Sequence, residues 1–165
     1  MSLDGFQNWL DHTPVSETIK NVTWIIPVVQ SVHILAISVV IASILLMNLR
    51  TIGLLGYIES TKIFFDRYLP RFWISLLVLL TTGLLLIIGE PQRTMRNPVF
   101  YTKMTLLILS IGAVLLLKRQ AGSSSEGGQA KASLSTRILA WTSFIFWIAI
   151  IFCGRWIAYS YDASA

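Results

Sequence analysis

Four long stretches of the chain are almost entirely apolar, and they constrain the fold more than any other feature. They cover residues 24–48, 72–89, 99–117 and about 138–159. A helix that crosses the roughly 30 Å hydrocarbon core of a bilayer needs about 20 such residues. Strands of a membrane barrel would show alternating polar and apolar residues, which these stretches lack. The sequence therefore predicts an all-α protein, a bundle of four transmembrane helices in a single membrane domain covering residues 1–165.

The composition excludes several other classes of protein. Of the 165 residues, 55% are hydrophobic and 13% are charged, whereas soluble domains have about 45–50% and about 25%. These values exclude a disordered chain and an ordinary soluble enzyme. The single cysteine, Cys153, excludes an intramolecular disulfide and a metal site built from several cysteines.

The net charge of +5 fits the basic loops of a membrane protein, so nucleic acid is not an expected partner. The expected partner is the lipid bilayer. Other membrane subunits or further copies of this chain are additional candidates.

The polar segment before the first apolar stretch, residues 1–23, predicts an interfacial helix. Phe6, Trp9 and Leu10 share one helical face, and the Thr13-Pro14 pair ends the pattern. Such a helix would lie on the membrane surface; a loosely ordered tail is the alternative. A signal peptide is not expected, because a basic start followed by an apolar run is missing.

The connections between the long stretches differ in character. Residues 51–71 mix apolar and charged positions, which indicates a short amphipathic helix at the membrane surface. Residues 120–135 are rich in Gly, Ser, Ala and Gln, which indicates a flexible linker.

The distribution of basic residues predicts the orientation. Eight Lys and Arg residues lie in the connections between the first and second and between the third and fourth stretches, and five lie toward the opposite side. The positive-inside rule then predicts a multi-pass protein of the bacterial inner (cytoplasmic) membrane with both termini extracytoplasmic.

Polar residues within the predicted helices concentrate near one membrane face. Gln30 and His33 come from the first helix, Glu90 ends the second, Lys103 lies in the third and Arg155 in the fourth. A charge in hydrocarbon costs about 2.5 kcal/mol or more, so such residues are candidates for a functional site. The structural alternatives are that the two cations reach to the interface and that His33 bonds a neighbouring Ser or Thr.

A single imidazole beneath cationic side chains is typical of a b-type haem site. Neutral imidazole binds iron, and cations can pair with the two propionates. The only other histidine, His12, lies in the polar N-terminal segment, so two histidine ligands within the bundle are excluded. The predicted site residues are His33, which is also the metal ligand, Gln30, Lys103, Arg155, and Tyr101 and Met104 as candidate sixth ligands.

Several motifs resemble those of a widespread family of small, uncharacterised bacterial membrane proteins with four helices. They are Gln30-Ser31-Val32-His33-Ile34-Leu35-Ala36, Thr82-Gly83-Leu84-Leu85-Leu86, Asn97-Pro98 with Phe100 and Lys103, and Gly154-Arg155-Trp156-Ile157-Ala158-Tyr159. More distantly, His33-Ile34 with Ala36, together with Lys103, resembles HemJ-type protoporphyrinogen oxidases and CopD-type membrane domains. In the HemJ type the equivalent His binds haem b and the equivalent Lys is functionally important. Tyr101 stands where that type often has a second His.

The expected function is haem binding for electron transfer or tetrapyrrole-related redox chemistry. Two alternatives remain open: an accessory or structural subunit of a membrane complex, and an outer-facing site that binds or transports a polar or anionic ligand. The sequence has no nucleophile elbow, zinc motif or phosphate loop. It therefore assigns no catalytic residue and leaves open whether the protein is an enzyme.

Overall fold

A computed structural model describes residues 3–55, 61–123 and 133–160, and all regular structure among them is helical. The long helices are α3 (Ile25–Ile52), α4 (Thr61–Gly89), α6 (Pro98–Ser123) and α7 (Leu134–Ser160), and the short ones are α1 (Leu3–Asp11), α2 (Pro14–Asn21) and α5 (Pro91–Met95). Each long helix has the length and hydropathy needed to cross a membrane. The predicted fold class, an all-α bundle with four membrane-spanning helices, is confirmed.

The bundle is organised around two closely packed helix pairs. Helix α3 packs along α4, and α6 packs along α7; α3 also contacts α7, whereas α4 and α6 touch more sparsely. We call the end where α3 and α6 begin the His33 end, and the opposite end the Arg50 end.

The core is built from one stripe of apolar residues on each long helix. On α4 the stripe follows the spacing of three and four residues that places side chains on one helical face. The buried core residues of α3 and α4 are Ala36, Val40, Ile44, Met47, Phe65, Leu69, Phe72, Leu76 and Leu79. Those of α6 and α7 are Leu107, Val114, Leu117, Ala140, Trp147 and Ile150.

The prediction of a separate surface helix within residues 51–71 was wrong for the described part of that segment. Helix α4 begins at Thr61 and continues without interruption through Pro70 to Gly89. Phe65 and Leu69 are buried and extend the core stripe of α4 toward the Arg50 end. Packing against the core therefore keeps this segment in line with the membrane-spanning helix. Residues 56–60 lie outside the described residues.

Gly53 separates α3 from the connection that follows. Its φ of 88° is in the left-handed region, and its N–H and that of Leu54 bond carbonyls in the last turn of α3. Glycine adopts this conformation without steric cost, which is why it commonly ends a helix.

The segment between α6 and α7 is shorter than the linker predicted at residues 120–135. Helix α6 continues to Ser123 and α7 begins at Leu134, while residues 124–132 lie outside the described residues. Lys118, Arg119 and Gln120 are good helix formers, so α6 extends beyond its last core residue at little cost.

The N-terminal segment forms two short helices that contact the His33 end of the bundle. Helix α1 ends at Asp11, and Thr13 caps α2, whose first residue is Pro14. Ile19 of α2 is buried, and its side chain lies close to Gly89 of α4. Phe6 and Trp9 are exposed with their rings in contact, and their insertion into a membrane surface stays a prediction.

The Arg50 end also contains buried polar side chains, which the sequence analysis had not singled out as a group. The Asn48 amide donates to the Ala140 carbonyl at 2.9 Å, and Arg50 donates to the Leu55 carbonyl at 2.9 Å. These bonds join α3 to α7 and to the segment after α3, so we assign these residues a structural role.

Candidate functional site

His33 is fixed by a hydrogen bond between two membrane-spanning helices. Its Nδ1 lies 2.7 Å from Oγ1 of Thr82, which is buried on α4. The Thr82 hydroxyl also lies 2.7 Å from the carbonyl of Val78 and 3.2 Å from that of Leu79. The imidazole is therefore held against α4, and the structural alternative considered for His33, a bond to a neighbouring Thr, is realised.

The same contacts determine which ring nitrogen carries the hydrogen. A hydroxyl has one hydrogen, and a carbonyl can only accept. When Thr82 donates to Val78, its oxygen can only accept from His33, which requires hydrogen on Nδ1. The lone pair of the neutral ring is then on Nε2, which makes no hydrogen bond with any residue that the structure describes. A histidine held at one nitrogen and free at the other is the usual arrangement of a metal ligand.

Gly83 provides the surface on which the imidazole rests. A Cβ atom added at this position would lie 3.4 Å from Cε1 of His33. Because glycine has no side chain, the ring can lie directly beside the backbone of α4. The Thr82-Gly83 pair thus combines a hydrogen-bond acceptor with space for the ring.

Lys103 of α6 reaches the same region from the other side of the bundle. Its Nζ lies 3.5 Å from the position of a Cβ added at Gly154 of α7. Lys103 lies within electrostatic range of His33 and of Cys153, the residue before Gly154 on α7. Four membrane-spanning helices therefore contribute to one cluster, which we call the His33–Lys103 site and define as His33, Thr82, Gly83, Lys103, Cys153 and Gly154.

The Lys103 ammonium group makes no hydrogen bond or ion pair with any described residue. Some polar atoms of the described structure lack a partner and are also fully enclosed. Nζ of Lys103 and Nε2 of His33 are not fully enclosed in this way. Both atoms therefore keep some exposed surface, and a negatively charged group that reached Lys103 would satisfy it.

The other predicted site residues lie elsewhere. Gln30 and Arg155 are exposed on the outside of the bundle, and Arg155 has an interaction with a partner. Tyr101 is 47% exposed, and its hydroxyl donates to the Met95 carbonyl at 3.2 Å. Met104 is half-buried and packs against the apolar core. Of the six predicted residues, the structure brings together His33 and Lys103.

Thr82, Cys153 and Gly154 were not predicted as site residues, whereas Gly83 was expected to let a flat ring lie close to the backbone. One feature of the sequence could have indicated them. Hydroxyl-bearing residues and glycines occur in the apolar helices at about the same depth as His33 and Lys103. Small residues in membrane helices allow close approach of neighbouring groups. That signal does not identify which polar side chain each small residue faces.

A metal centre with several protein ligands is not formed by the described residues, since no group of three or more His, Cys, Asp or Glu residues comes together. A haem differs because its porphyrin supplies four ligands and one histidine is sufficient to hold it.

Comparisons with known proteins give one match. No curated protein and no solved structure matches the chain significantly. A family model described as a family of unknown function, DUF6644, matches residues 13–160. This range includes α2 to α7 and every residue of the His33–Lys103 site. The chain, with its four helices long and apolar enough to cross a membrane, belongs to this family of unknown function.

Proposed function

We propose that this protein binds b-type haem in the membrane, with Nε2 of His33 as the nitrogen that would hold its iron, for electron transfer or tetrapyrrole-related redox chemistry. The observation that carries the proposal is the 2.7 Å contact between His33 Nδ1 and the Thr82 hydroxyl, which leaves Nε2 without a partner among the described residues. A bound haem would supply one-electron chemistry at its iron. The protein's part is to hold the cofactor and to orient the imidazole.

The surroundings of the imidazole fit such a cofactor. Lys103 offers a cation for a propionate, and Gly83 and Gly154 let the imidazole and the ammonium group lie directly against α4 and α7. Pairing with a carboxylate would also relieve the cost of holding a lone cation among apolar helices. The same residues thus supply an iron ligand and a charge partner at one level of the bundle.

The second axial position has fewer candidates than the sequence suggested. His12 lies in the break between α1 and α2 and is exposed, and the Tyr101 hydroxyl bonds a backbone carbonyl. Met104, five-coordinate iron and a ligand from a second chain remain as hypotheses. No curated protein of the HemJ or CopD type matches the chain, so the proposal depends on the geometry of the site.

The test is the absorption spectrum of detergent-purified protein made in a haem-replete host. We expect a Soret band in the wild type, its loss in His33→Ala, and its retention in His12→Ala. The two variants remove the only two histidines of the chain, so His12→Ala is a matched control. A colourless wild type that also takes up no added haem would contradict the proposal.

Lys103 supports a second candidate function, the binding of a small anionic ligand without haem. Its ammonium group has no partner among the described residues and is open to a ligand. Acetate and inorganic phosphate are suitable probes. Stabilisation of haem-free protein by these anions, abolished in Lys103→Met and retained in His33→Ala, would favour this function over haem binding.

A further inference from the structure

Two buried polar atoms on one face of α7 are not explained by the His33–Lys103 site. They are Oγ of Ser143 and Nε1 of Trp147, whose residues are 0% and 2% exposed. Both atoms are fully enclosed and have no hydrogen-bond partner in the described structure. The residues are four positions apart, so their side chains are neighbours on the helix surface.

Ser143 differs from four other serines of the long helices. Ser31, Ser38, Ser43 and Ser110 each donate to the carbonyl four residues earlier, at 2.7 to 3.0 Å. This local bond satisfies a hydroxyl in an apolar helix without any other partner. Ser143 makes no such bond and is completely buried, so its hydroxyl is available for another group.

Trp147 cannot satisfy its indole N–H through its own helix. Its ring packs edge-on against Phe72 of α4, with ring centroids 5.8 Å apart and planes at 89°. The other five tryptophans of the chain are at least 39% exposed, and Trp147 alone is buried. A buried N–H without an acceptor is unfavourable, and the surrounding lipid supplies none.

We propose that an internal water molecule binds between Ser143 and Trp147. The water would accept a hydrogen bond from the indole N–H and donate one to the serine oxygen. Buried waters typically occupy places where otherwise unsatisfied polar groups converge, and they need at least two polar partners. A purely apolar guest would leave both groups unsatisfied.

The proposed water site is separate from the His33–Lys103 site and does not depend on haem. Trp147 and Gly154 are seven residues apart, which corresponds to about 10 Å along a helix. Seven residues are close to two full turns, so the two positions lie on the same face of α7. The water would extend the polar region from Lys103 toward the middle of the bundle.

Water-edited solid-state NMR tests this proposal on full-length protein in lipid bilayers with ¹⁵N-labelled indoles. The Trp147 signal is assigned by its absence in Trp147→Phe. We expect transfer from water to the Trp147 indole at a rate similar to that of Trp24, which is 65% exposed. In Ser143→Ala we expect this transfer to fall severalfold, because the water loses one of its two partners.

Ser110→Ala is the matched control, since Ser110 is equally buried but donates to the Leu106 carbonyl. It should leave the transfer to Trp147 unchanged. A Trp147 indole that receives no polarisation from water in the wild type would overturn the proposal. If Ser143 and Trp147 bonded each other directly, with no water between them, the indole would also receive no polarisation from water, and the proposal would be overturned. The wild-type measurement decides between these outcomes even if Ser143→Ala fails to fold.

Discussion

At the scale of single residues, the candidate site depends on pairs of residues. In each pair, one residue fixes the orientation of the other or makes room for it. Thr82 holds the hydrogen of His33 on Nδ1, and Gly83 makes room for the ring. Gly154 makes room for the ammonium group of Lys103. The sequence indicated His33 and Lys103 because they are rare residue types within apolar helices, but their partners are common ones.

Replacing Thr82 by Val tests the first pair. Valine has a similar shape but cannot accept the hydrogen bond, so the imidazole loses its orientation. We expect haem affinity to fall about 10-fold or more, as is usual when the partner of a metal-binding histidine is removed. Titration of haem-free protein with haem measures the effect. Thr82→Ser should keep the wild-type haem affinity, because serine retains the hydroxyl group.

Thr81→Val is the control for this prediction. Thr81 is on the same helix but is exposed and bonds the Leu77 carbonyl. Equal affinity in Thr81→Val and Thr82→Val would contradict a specific role for Thr82.

Replacing Lys103 by Met should change stability and binding in opposite directions. In haem-free protein the variant removes a lone cation from the bundle, which we expect to stabilise the fold by about 2 kcal/mol. Haem affinity should fall, because a propionate loses its partner. Thermal unfolding and haem titration measure the two effects. Lys62→Met, at an exposed position, should change neither, and a destabilised Lys103→Met would contradict the absence of a partner.

At the scale of elements, α4 shows how packing overrides a local signal. Pro70 lies inside this helix although proline lacks the N–H that a helix interior uses. Its side chain is exposed, while Phe65, Leu69 and Phe72 bury the opposite side of the same segment. The mix of apolar and charged residues at 51–71 predicted a separate surface helix, but the buried stripe of α4 continues through the described part of this segment.

Replacing Pro70 by Ala should stabilise the protein. Alanine restores the N–H and the intrahelical hydrogen bond, and the full effect of a proline in a helix interior is about 3 kcal/mol. We expect a gain of about 1–3 kcal/mol, measured by thermal unfolding in detergent. Pro27→Ala is the control, because Pro27 is exposed in the first turn of α3, where the missing N–H costs little. A loss of stability in Pro70→Ala would show that a bend at this position is required.

At the scale of the whole molecule, the site is assembled from four helices that meet near one end. Helices α1, α2 and α5 contact the bundle there. At the Arg50 end, the described exposed residues include several cations: Lys62, Arg67, Arg71, Lys118, Arg119 and Arg137. This distribution predicts that the His33 end faces away from the cytoplasm.

Labelling of introduced cysteines tests this orientation. The test uses Cys153→Ser protein as the background. In this background His12→Cys should react with a membrane-impermeant maleimide that is added to spheroplasts. Arg137→Cys should react only after the inner membrane is made permeable. Both positions are exposed, so they form a matched pair. The reverse pattern of labelling would contradict the predicted orientation.

The sequence by itself determined that this chain forms four apolar helices, and it pointed to His33 and Lys103 as the unusual residues within them. Both features are local, because hydropathy and residue type are read along the chain. The tertiary structure decided that His33 faces Thr82, that Lys103 faces Gly154, and that Gln30, Tyr101 and Arg155 lie on the outside. In a membrane-spanning helix the side toward lipid is as apolar as the side toward the core. The sequence pattern therefore does not identify the inner face, which helix packing alone selects.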